Sequence, residues 1–393
     1  MPANFNPRVP DVDFSLLDSE ANRCVACGLC LPSCPTYHKT ESEADSPRGR
    51  VMLMRGLFEG ALRPEANLTA HLDRCLACRT CESVCPSGVK YGELIDGARA
   101  ALVRSGHRPQ GLARWLPGAL ASPLLLRLVG RSRLREHYAA QGETRGVVSL
   151  FVGCVSRLAD AETLRAAIFV LTRLGYEVQV PRAQGCCGAM HQHGGDLAHA
   201  ETLAHTNLGA FGGPKSDGAG RSDAPILFVA SGCGASLVEY GRYGETGAQF
   251  AERTTDIVSF LAQAPGWDVL DIAPLAETVA VHEPCSARNV LRNAADAYRL
   301  LERIPQARVA SLAGNEQCCG SAGLYFLTQP RMAGKLRADK MTAVRANNPR
   351  YLVSTNYGCA RWLAKGLQEE VLVVEVLHPV TLLARQMGFT GTC

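Results

Sequence analysis

The sequence predicts a multidomain chain with a mainly α-helical N-terminal domain, followed by two duplicated α/β modules. Three observations support this fold class. Eight cysteines crowd between Cys24 and Cys85, strand-like and helix-like segments alternate after residue 146, and one arrangement of cysteines occurs twice in the alternating part. With 393 residues, the chain is long enough for two or three domains and a sizeable buried core.

The composition narrows the class of protein. A hydrophobic fraction of 47% and a charged fraction of 20% are ordinary for a globular protein. The net charge of +4 is small and no dense Lys/Arg run is interleaved with aromatics, so we expect no nucleic-acid partner. The N-terminus lacks the apolar core of a secretion signal, and no apolar stretch approaches the roughly 20 residues that span a bilayer. We therefore expect a cytoplasmic protein.

The chain is expected to divide into four parts. A cysteine-dense helical domain covers residues 1–103, and within it Ser46-Pro47 marks a helix start, because serine caps helices and proline fits their first turn. Residues 104–146 form a basic connector, whose middle from Leu124 to Leu134 favours a short amphipathic helix. Residues 147–275 and 276–393 form the two α/β modules.

The two modules share an order of strands and helices that is typical of a parallel sheet. A Gly/Ser-rich stretch at residues 212–223 interrupts the first module and favours a loop. The predicted strands are Val147–Val152, Tyr176–Val180, Ile226–Ala230, Thr278–Val281 and Tyr351–Ser354, and the predicted helices are Ala161–Leu174, Ala294–Ile304 and Arg337–Asn347.

Two matching cysteine motifs indicate metal clusters in the N-terminal domain. Each reads Cys-x-x-Cys-x-x-Cys-x-x-x-Cys-Pro, the spacing of bacterial ferredoxins with two [4Fe–4S] clusters, in which the fourth cysteine serves the other cluster. Zinc fits poorly, because zinc sites generally use two Cys-x-x-Cys pairs. We therefore predict a two-cluster ferredoxin-like domain that relays single electrons. The predicted ligands are Cys24, Cys27, Cys30 and Cys85 for cluster 1, and Cys75, Cys78, Cys81 and Cys34 for cluster 2.

A second arrangement occurs once in each α/β module: a cysteine after a strand, a vicinal Cys-Cys-Gly, and a fourth cysteine further on. Four thiolates are enough for one further metal ion or cluster. Alternatively, these cysteines are small buried hydrophobic residues or thiols without metal. Cys393 fits neither arrangement. The candidates are Cys154, Cys186, Cys187 and Cys233 in the first module, and Cys285, Cys318, Cys319 and Cys359 in the second.

Other side chains near these motifs could assist a metal site. His191, His193 and His282 could bind metal or donate protons, or could be ordinary surface and packing residues. Arg48 and Arg50 follow the first motif, where positive charge would favour a reduced cluster, although both could equally be solvated. No Gly-x-Gly-x-x-Gly follows a strand and no hydrolase signature is present, so we expect neither a flavin or nicotinamide site nor a catalytic residue.

Seven strings along the chain are distinctive: Cys24-Val-Ala-Cys-Gly-Leu-Cys, Ser46-Pro-Arg-Gly-Arg, His71-Leu-Asp-Arg-Cys-Leu-Ala-Cys, Cys85-Pro-Ser-Gly-Val-Lys-Tyr, Ala230-Ser-Gly-Cys-Gly-Ala, Glu239-Tyr-Gly and Cys318-Cys-Gly-Ser-Ala-Gly-Leu-Tyr. These strings resemble the glycolate oxidase iron–sulfur subunit family, in the same order along the chain. The resemblance implies the electron-transfer subunit of a membrane-associated glycolate (2-hydroxy acid) dehydrogenase, an oxidoreductase acting on CH–OH donors. FAD-binding partner subunits would oxidise the substrate, and this chain would pass electrons towards quinone from the inner face of the membrane.

Three other functions remain open at this point. Sister families with the same architecture imply the equivalent subunit of a lactate or glycerol-3-phosphate dehydrogenase. The modules also resemble the cysteine-rich modules of heterodisulfide reductase, which would make this chain a catalytic subunit that cleaves a disulfide. Those modules carry a fifth cysteine, where this chain has Ser236 and Trp362. The last alternative is a scaffold in which the modules hold structural zinc.

Overall fold

The chain forms two compact units, each assembled from segments that are separate in sequence. The computed structural model describes residues 14–108, 111–122, 134–212 and 223–391. Unit 1 combines Met1–Pro117 with Ala189–Ala200 and Glu316–Ala338. Unit 2 combines Gly118–Gly188, Glu201–Asn315 and Asp339–Cys393. The domain boundaries drawn from the sequence at residues 103, 146 and 275 stay predictions.

Unit 1 is built from helices joined by short turns. The helix that starts at Pro47 confirms the prediction from Ser46-Pro47, since Ser46 Oγ accepts a hydrogen bond from the Gly49 amide at 3.0 Å. The hydrophobic core of unit 1 contains Met54, Leu72 and Leu94. The helices are Phe14–Asn22, Pro35–Thr40, Pro47–Phe58, Ala66–Asp73, Thr80–Ser83, Tyr91–Arg104, Ala189–His193 and Tyr325–Thr328, with Leu112–Ala121, Leu197–Gly212 and Pro330–Asn347 continuing into segments of unit 2.

Unit 2 contains two sheets. The strands are β1 (His137–Tyr138), β2 (Gly146–Phe151), β3 (Tyr176–Gln179), β4 (Ile226–Phe228), β5 (Thr254–Asp256), β6 (Thr278–His282), β7 (Arg308–Ser311), β8 (Tyr351–Ser354) and β9 (Glu375–Leu377). The strand order is β1-β3-β2-β4-β5 in the first sheet and β7-β6-β8-β9 in the second. β1 pairs antiparallel with β3, and the other described pairs are parallel, as the sequence predicts.

Helices pack against these sheets and enclose one apolar core. Its centre contains Leu150 of β2, Leu227 of β4 and Val353 of β8, all fully buried. The helix Ala161–Arg173 buries most of its length against this core. The helices of unit 2 are Val155–Ala159, Ala161–Arg173, Ser231–Leu237, Glu245–Glu252, Ile257–Gln263, Ala295–Leu301, Tyr357–Glu369 and Pro379–Gln386.

The five predicted strands are confirmed as β2, β3, β4, β6 and β8, to within a residue or two at each end. Strands β1, β5, β7 and β9 were not predicted, because each is short and carries polar side chains. The helix Pro330–Asn347 begins earlier than predicted.

Some sequence predictions fall largely outside the described residues. These are the amphipathic helix from Leu124 to Leu134 and the loop at residues 212–223; Cys393 lies outside as well. None of the helices within the described ranges has the length and apolar character needed to span a bilayer.

Parallel pairing gathers cysteines at one end of each sheet. Cys154 follows β2 and Cys233 follows β4, and these two strands are neighbours. Likewise, Cys285 follows β6 and Cys359 follows β8, which are neighbours in the second sheet. Because the carboxyl ends of parallel strands share one edge, each pair of cysteines lies at a common sheet edge, where α/β folds place their sites.

A buried carboxyl group ends the edge strand β5. Asp256 is 3% exposed, and its Oδ1 accepts a hydrogen bond from the Val258 amide at 2.7 Å, which caps the helix Ile257–Gln263. Its Oδ2 has no hydrogen-bond partner within the part of the chain that the structure describes. Burial raises the pKa of Asp256 to about 7.

This raised pKa predicts a pH-dependent loss of stability. Because the folded protein holds the Asp256 proton more tightly than the unfolded chain does, stability falls as pH rises from about 4 to about 7 and stays low above that range. We expect Asp256→Asn to raise the thermal unfolding temperature at about pH 8 and to have much less effect at about pH 5. Asp268→Asn, at an exposed position, is the control. A shift that is equal at both pH values would contradict this account.

Candidate metal centres

Four cysteines of unit 1 surround one cavity. Cys34, Cys75, Cys78 and Cys81 line this cavity, together with Arg50 and Tyr91 among others. Cys34 directly precedes the helix Pro35–Thr40, and Cys81 lies in the helix Thr80–Ser83. The structure therefore brings together the four residues that the sequence assigns to cluster 2, including the one supplied by the other motif.

Both cysteine motifs bend their backbone in the same way. In the first motif, Ala26 (φ +55°) and Gly28 (φ +82°) flank Cys27; in the second, Ala77 (φ +50°) and Arg79 (φ +60°) flank Cys78. This left-handed conformation is costly for residues that carry a Cβ atom, so such positions persist only where the surroundings impose them. The repeated bend turns successive thiols of each motif towards one side.

Hydrogen-bond donors surround the sulfurs of the cavity. Tyr91 Oη donates to Cys75 Sγ at 3.6 Å, and the Ala77 amide donates to the same sulfur at 3.4 Å. Thr80 Oγ1 donates to Cys78 Sγ at 3.6 Å. Donors of this kind stabilise thiolates. The donor set therefore fits a group held by four thiolates, which is the ligation of a [4Fe–4S] cluster.

Burial makes the Cys81 thiol a poor acid unless a metal binds it. It raises the pKa of Cys81 well above the ordinary value, and the neighbouring thiols of Cys78, Cys75 and Cys34 add to the effect. A coordinated metal removes this obstacle, since a ligating thiol is deprotonated outright. The four side chains are thus arranged for metal binding rather than for free thiol chemistry.

The first motif groups its leading cysteines nearer to the surface. Burial raises the pKa of Cys30 to about 11, and Cys24 and Cys27 contribute further. Cys27 is exposed, whereas Cys34 and Cys75 of the other set are buried. Cys85 packs on the same hydrophobic core as Cys24. That Cys85 completes this set stays a prediction.

A buried ion network stands beside the cavity. Arg50 is 1% exposed; its Nη1 lies 4.0 Å from Cys34 Sγ, and its Nε donates to the His71 carbonyl at 2.7 Å. Its Nη2 donates to Asp45 at 3.3 Å, and Arg74 also binds this carboxylate, at 2.9 Å. The alternative that Arg50 is solvated is therefore wrong.

The charges of this network hold one another ionised. Burial alone would lower the pKa of Arg50, but the anionic forms of Cys75, Tyr91, Cys34 and Asp45 outweigh it and raise that pKa. Arg48 differs, because it pairs with Glu43 near the surface at 2.6 Å and donates to the Ala26 carbonyl at 3.2 Å.

In unit 2, the four cysteines of the first module form a continuous group. Cys154 Sγ lies 3.3 Å from Cys186 Sγ, and Cys187 forms side-chain hydrogen bonds with both Cys186 and Cys233. These bonds, together with burial, raise the pKa of Cys187 well above the ordinary value. Four neighbouring thiols of this kind are the donor set of a closed metal site.

Polar side chains fix the backbone of this group. Asn207 Nδ2 donates to the Cys186 carbonyl at 2.9 Å, and Tyr240 Oη donates to the Cys187 carbonyl at 3.0 Å. Ser236, at the fifth position, also donates to the Cys187 carbonyl, at 3.2 Å. Sequence reasoning missed Asn207 and Tyr240. Tyr240 lies in one of the family-like strings, whereas nothing in the sequence singled out Asn207.

The candidate cysteines of the second module belong to both units. In unit 2, a ring nitrogen of His282 lies within 4.8 Å of Cys359 Sγ. Burial holds the pKa of His282 well below its ordinary value, and Lys340 adds to this effect. Cys318 and Cys319 belong to segments of unit 1. The joint site of Cys285, Cys318, Cys319 and Cys359 stays a prediction.

Tyr325 links the segment that carries Cys318 to the cluster motif within unit 1. Its Oη donates to the Arg74 carbonyl at 2.8 Å, directly before Cys75. Burial raises the pKa of Tyr325, and the Cys75 and Cys318 thiols both add to the increase. Of the other histidines named from the sequence, His193 pairs with Asp96, with its Nδ1 3.0 Å from the carboxylate.

Comparisons with known proteins agree with this organisation. The model of the 4Fe-4S dicluster domain matches residues 20–89, and the model of the cysteine-rich domain matches residues 148–238 and 279–364. The chain is 33% identical to the glycolate oxidase iron–sulfur subunit of Escherichia coli, covering 88% of this chain and 90% of that protein. These matches support iron–sulfur clusters as cofactors.

Two further relatives extend over nearly the whole chain. A probable glycolate oxidase iron–sulfur subunit of Bacillus subtilis is 29% identical, covering 94% of this chain and 95% of the relative. One subunit of the dihydromethanophenazine:CoB–CoM heterodisulfide reductase of Methanosarcina acetivorans is 25% identical, covering 98% of this chain and 99% of the relative.

The buried ion network predicts a large effect of a neutral residue at position 50. We expect Arg50→Gln to destabilise unit 1 by about 1–3 kcal/mol, because Asp45 would lose one buried donor while Arg74 and His71 still contact it. Arg50→Lys keeps the charge but cannot reproduce the three donor contacts, so a smaller loss is expected. Arg48→Gln, at the surface, should change little. Anaerobic thermal unfolding measures all three, and equal stability of Arg50→Gln and the unmodified protein would contradict the prediction.

Proposed function

The chain belongs to the family of glycolate oxidase iron–sulfur subunits, and from this premise we propose that it carries electrons within a glycolate (2-hydroxy acid) dehydrogenase. In this proposal, FAD-binding partner subunits oxidise the substrate, and the electrons pass through this chain towards quinone. The protein would act at the inner face of the membrane as a peripheral subunit. The cavity lined by Cys34, Cys75, Cys78 and Cys81 carries the proposal, because it presents a complete ligand set for a cluster.

We assign the eight motif cysteines to two [4Fe–4S] clusters. Cluster 1 takes Cys24, Cys27, Cys30 and Cys85, and cluster 2 takes Cys75, Cys78, Cys81 and Cys34. When bound, such clusters supply one-electron transfer, whereas a flavin takes up two electrons as a hydride. A chain that holds two clusters therefore suits a junction between a flavin and a quinone.

The residues of the chain support electron transfer by their charge and packing. Arg50 places a fixed positive charge 4.0 Å from Cys34 Sγ, and this charge stabilises a reduced, more negative cluster. The donors Tyr91 and Thr80 lower the charge density on two of the sulfurs. Since Cys34 and Cys75 are buried, water is kept from this side of the site.

The modules supply a second candidate function. Cys154 and Cys186 lie 3.3 Å apart, sulfur to sulfur, and a relative of similar length belongs to a heterodisulfide reductase. In that case two electrons from the clusters and two protons would convert a bound disulfide into two thiols. Ser236 and Trp362 in place of the fifth cysteines weigh against this candidate.

Cluster assignment predicts a defined loss of iron in cysteine variants. We expect the anaerobically purified protein to hold about eight irons, and Cys81→Ala and Cys27→Ala each to lose about four. Cys393→Ala should keep all of them. Iron and sulfide analysis with electron paramagnetic resonance of the reduced protein measures this. Full iron content in Cys81→Ala would refute the assignment, and more than about eight irons in the unmodified protein would indicate clusters in the modules.

The proposed place in the complex predicts a dependence of quinone reduction on this chain. We expect the flavin subunits alone to reduce an artificial dye with glycolate but not quinone, and the added chain to restore quinone reduction. Cys81→Ala should fail to restore it, whereas Cys393→Ala should succeed. Quinone reduction without this chain would reject the role. Activity with lactate or glycerol 3-phosphate in place of glycolate would assign the chain to the sister complex, and heterodisulfide reduction by the chain alone would favour the second candidate.

A further inference from the structure

Three side chains of unit 1 form a compact cluster shortly after the first Cys-Cys-Gly. His191 lies in the helix Ala189–His193, Asp196 precedes the helix Leu197–Gly212, and His199 lies in the first turn of that helix. One possible ligand atom from each lies within 4.8 Å of the other two. Neither the cluster motifs nor the module cysteines account for this group.

The distances within the group match those of a small metal site. The Asp196 carboxylate lies 3.5 Å from His191 Nδ1 and 2.9 Å from His199 Nδ1. A tetrahedral zinc site with bonds of about 2.0–2.2 Å has ligand atoms about 3.3–3.6 Å apart. The His191–Asp196 distance lies within this range, whereas the His199–Asp196 distance is about 0.4 Å shorter than its lower end, so side-chain rotations are required to bring all three atoms onto one ion.

His191 is held in an unusual environment. Its side chain is 9% exposed, and its Nε2 has no hydrogen-bond partner within the described ranges. The rings of His191 and His199 stack with their centroids 5.4 Å apart. Because Nδ1 faces Asp196, it is the nitrogen available to an ion, and the unpartnered Nε2 lies on the opposite edge of the ring.

The backbone that carries the group is fixed in place. Arg99 Nη1 donates to the His193 carbonyl at 3.0 Å, and His193 Nδ1 pairs with Asp96, so His193 is engaged elsewhere. Gly195 has φ +82°, and a Cβ atom there would lie 2.5 Å from the Arg99 carbonyl. A rigid support of this kind reduces the cost of ordering ligands on binding. Asp196 and His199 are exposed enough for an ion to enter from solvent.

We propose that His191, Asp196 and His199 bind one divalent transition-metal ion of the zinc class, with water as the fourth ligand. Imidazole and carboxylate are suitable donors for such an ion. Zinc carries no redox chemistry, so the site lies outside the path of electrons. Its effect is structural, since it joins the helix Ala189–His193 to the start of the helix Leu197–Gly212 and so braces the segment that follows Cys186-Cys187.

Zinc binding to the full, anaerobically purified protein tests this proposal. After addition of zinc and desalting, we expect His199→Ala and Asp196→Asn each to hold about one zinc fewer than the unmodified protein. His205→Ala is the matched control, because His205 is an exposed histidine of the same helix that pairs with Glu201. Asparagine caps helices as well as aspartate does, so Asp196→Asn should keep the fold. Unchanged iron content shows that the clusters are retained.

Cobalt distinguishes this site from the cysteine sites. Co²⁺ bound to histidine and carboxylate lacks the intense sulfur-to-metal absorption of a thiolate site. We expect a weak visible spectrum for the cobalt ion that His199→Ala removes and His205→Ala keeps. Equal zinc content in all four proteins would overturn the proposal, as would a thiolate spectrum for that ion or no zinc binding by the unmodified protein.

Discussion

Unit 1 depends on one constraint: four thiols from two distant motifs must face a single cavity. The helices around Cys34 and Cys81 are short, and the loops at Ala26, Ala77 and Arg79 adopt a backbone conformation that is costly outside glycine. Short helices and strained loops contribute little stability of their own. A metal group bound by these thiols would supply free energy that stabilises the local fold.

The electrostatics of the same site is determined by the burial of two charged side chains. Asp45 and Arg50 are each 1% exposed, and two isolated charges would be expensive there. They are tolerable because each has several partners: Arg74 and His71 reach Asp45, and the His71 carbonyl receives Arg50. The network thus keeps a cation beside Cys34 that solvent cannot screen as it would a surface charge.

The sequence reveals local cysteine spacing and apolar runs better than it reveals contacts between residues that are distant in the chain. The spacing of Cys75, Cys78 and Cys81 anticipates a shared cavity, since a tight loop determines their geometry, and apolar runs anticipate the central strands β2 and β8. The edge strand β7 was not predicted because it has only four residues and both its ends are polar. Asn207 could not be foreseen, because it acts on Cys186 only through the fold.

The hydrogen bond from Tyr325 to the Arg74 carbonyl also bears on biosynthesis. The two residues are 251 positions apart, so at about 5–20 residues per second the ribosome needs roughly 13 to 50 seconds to progress from one to the other. Throughout that interval the Arg74 carbonyl lacks the hydrogen bond from Tyr325. A nascent chain therefore presents the residue before Cys75 without this hydrogen bond until the C-terminal part of the protein has been synthesised.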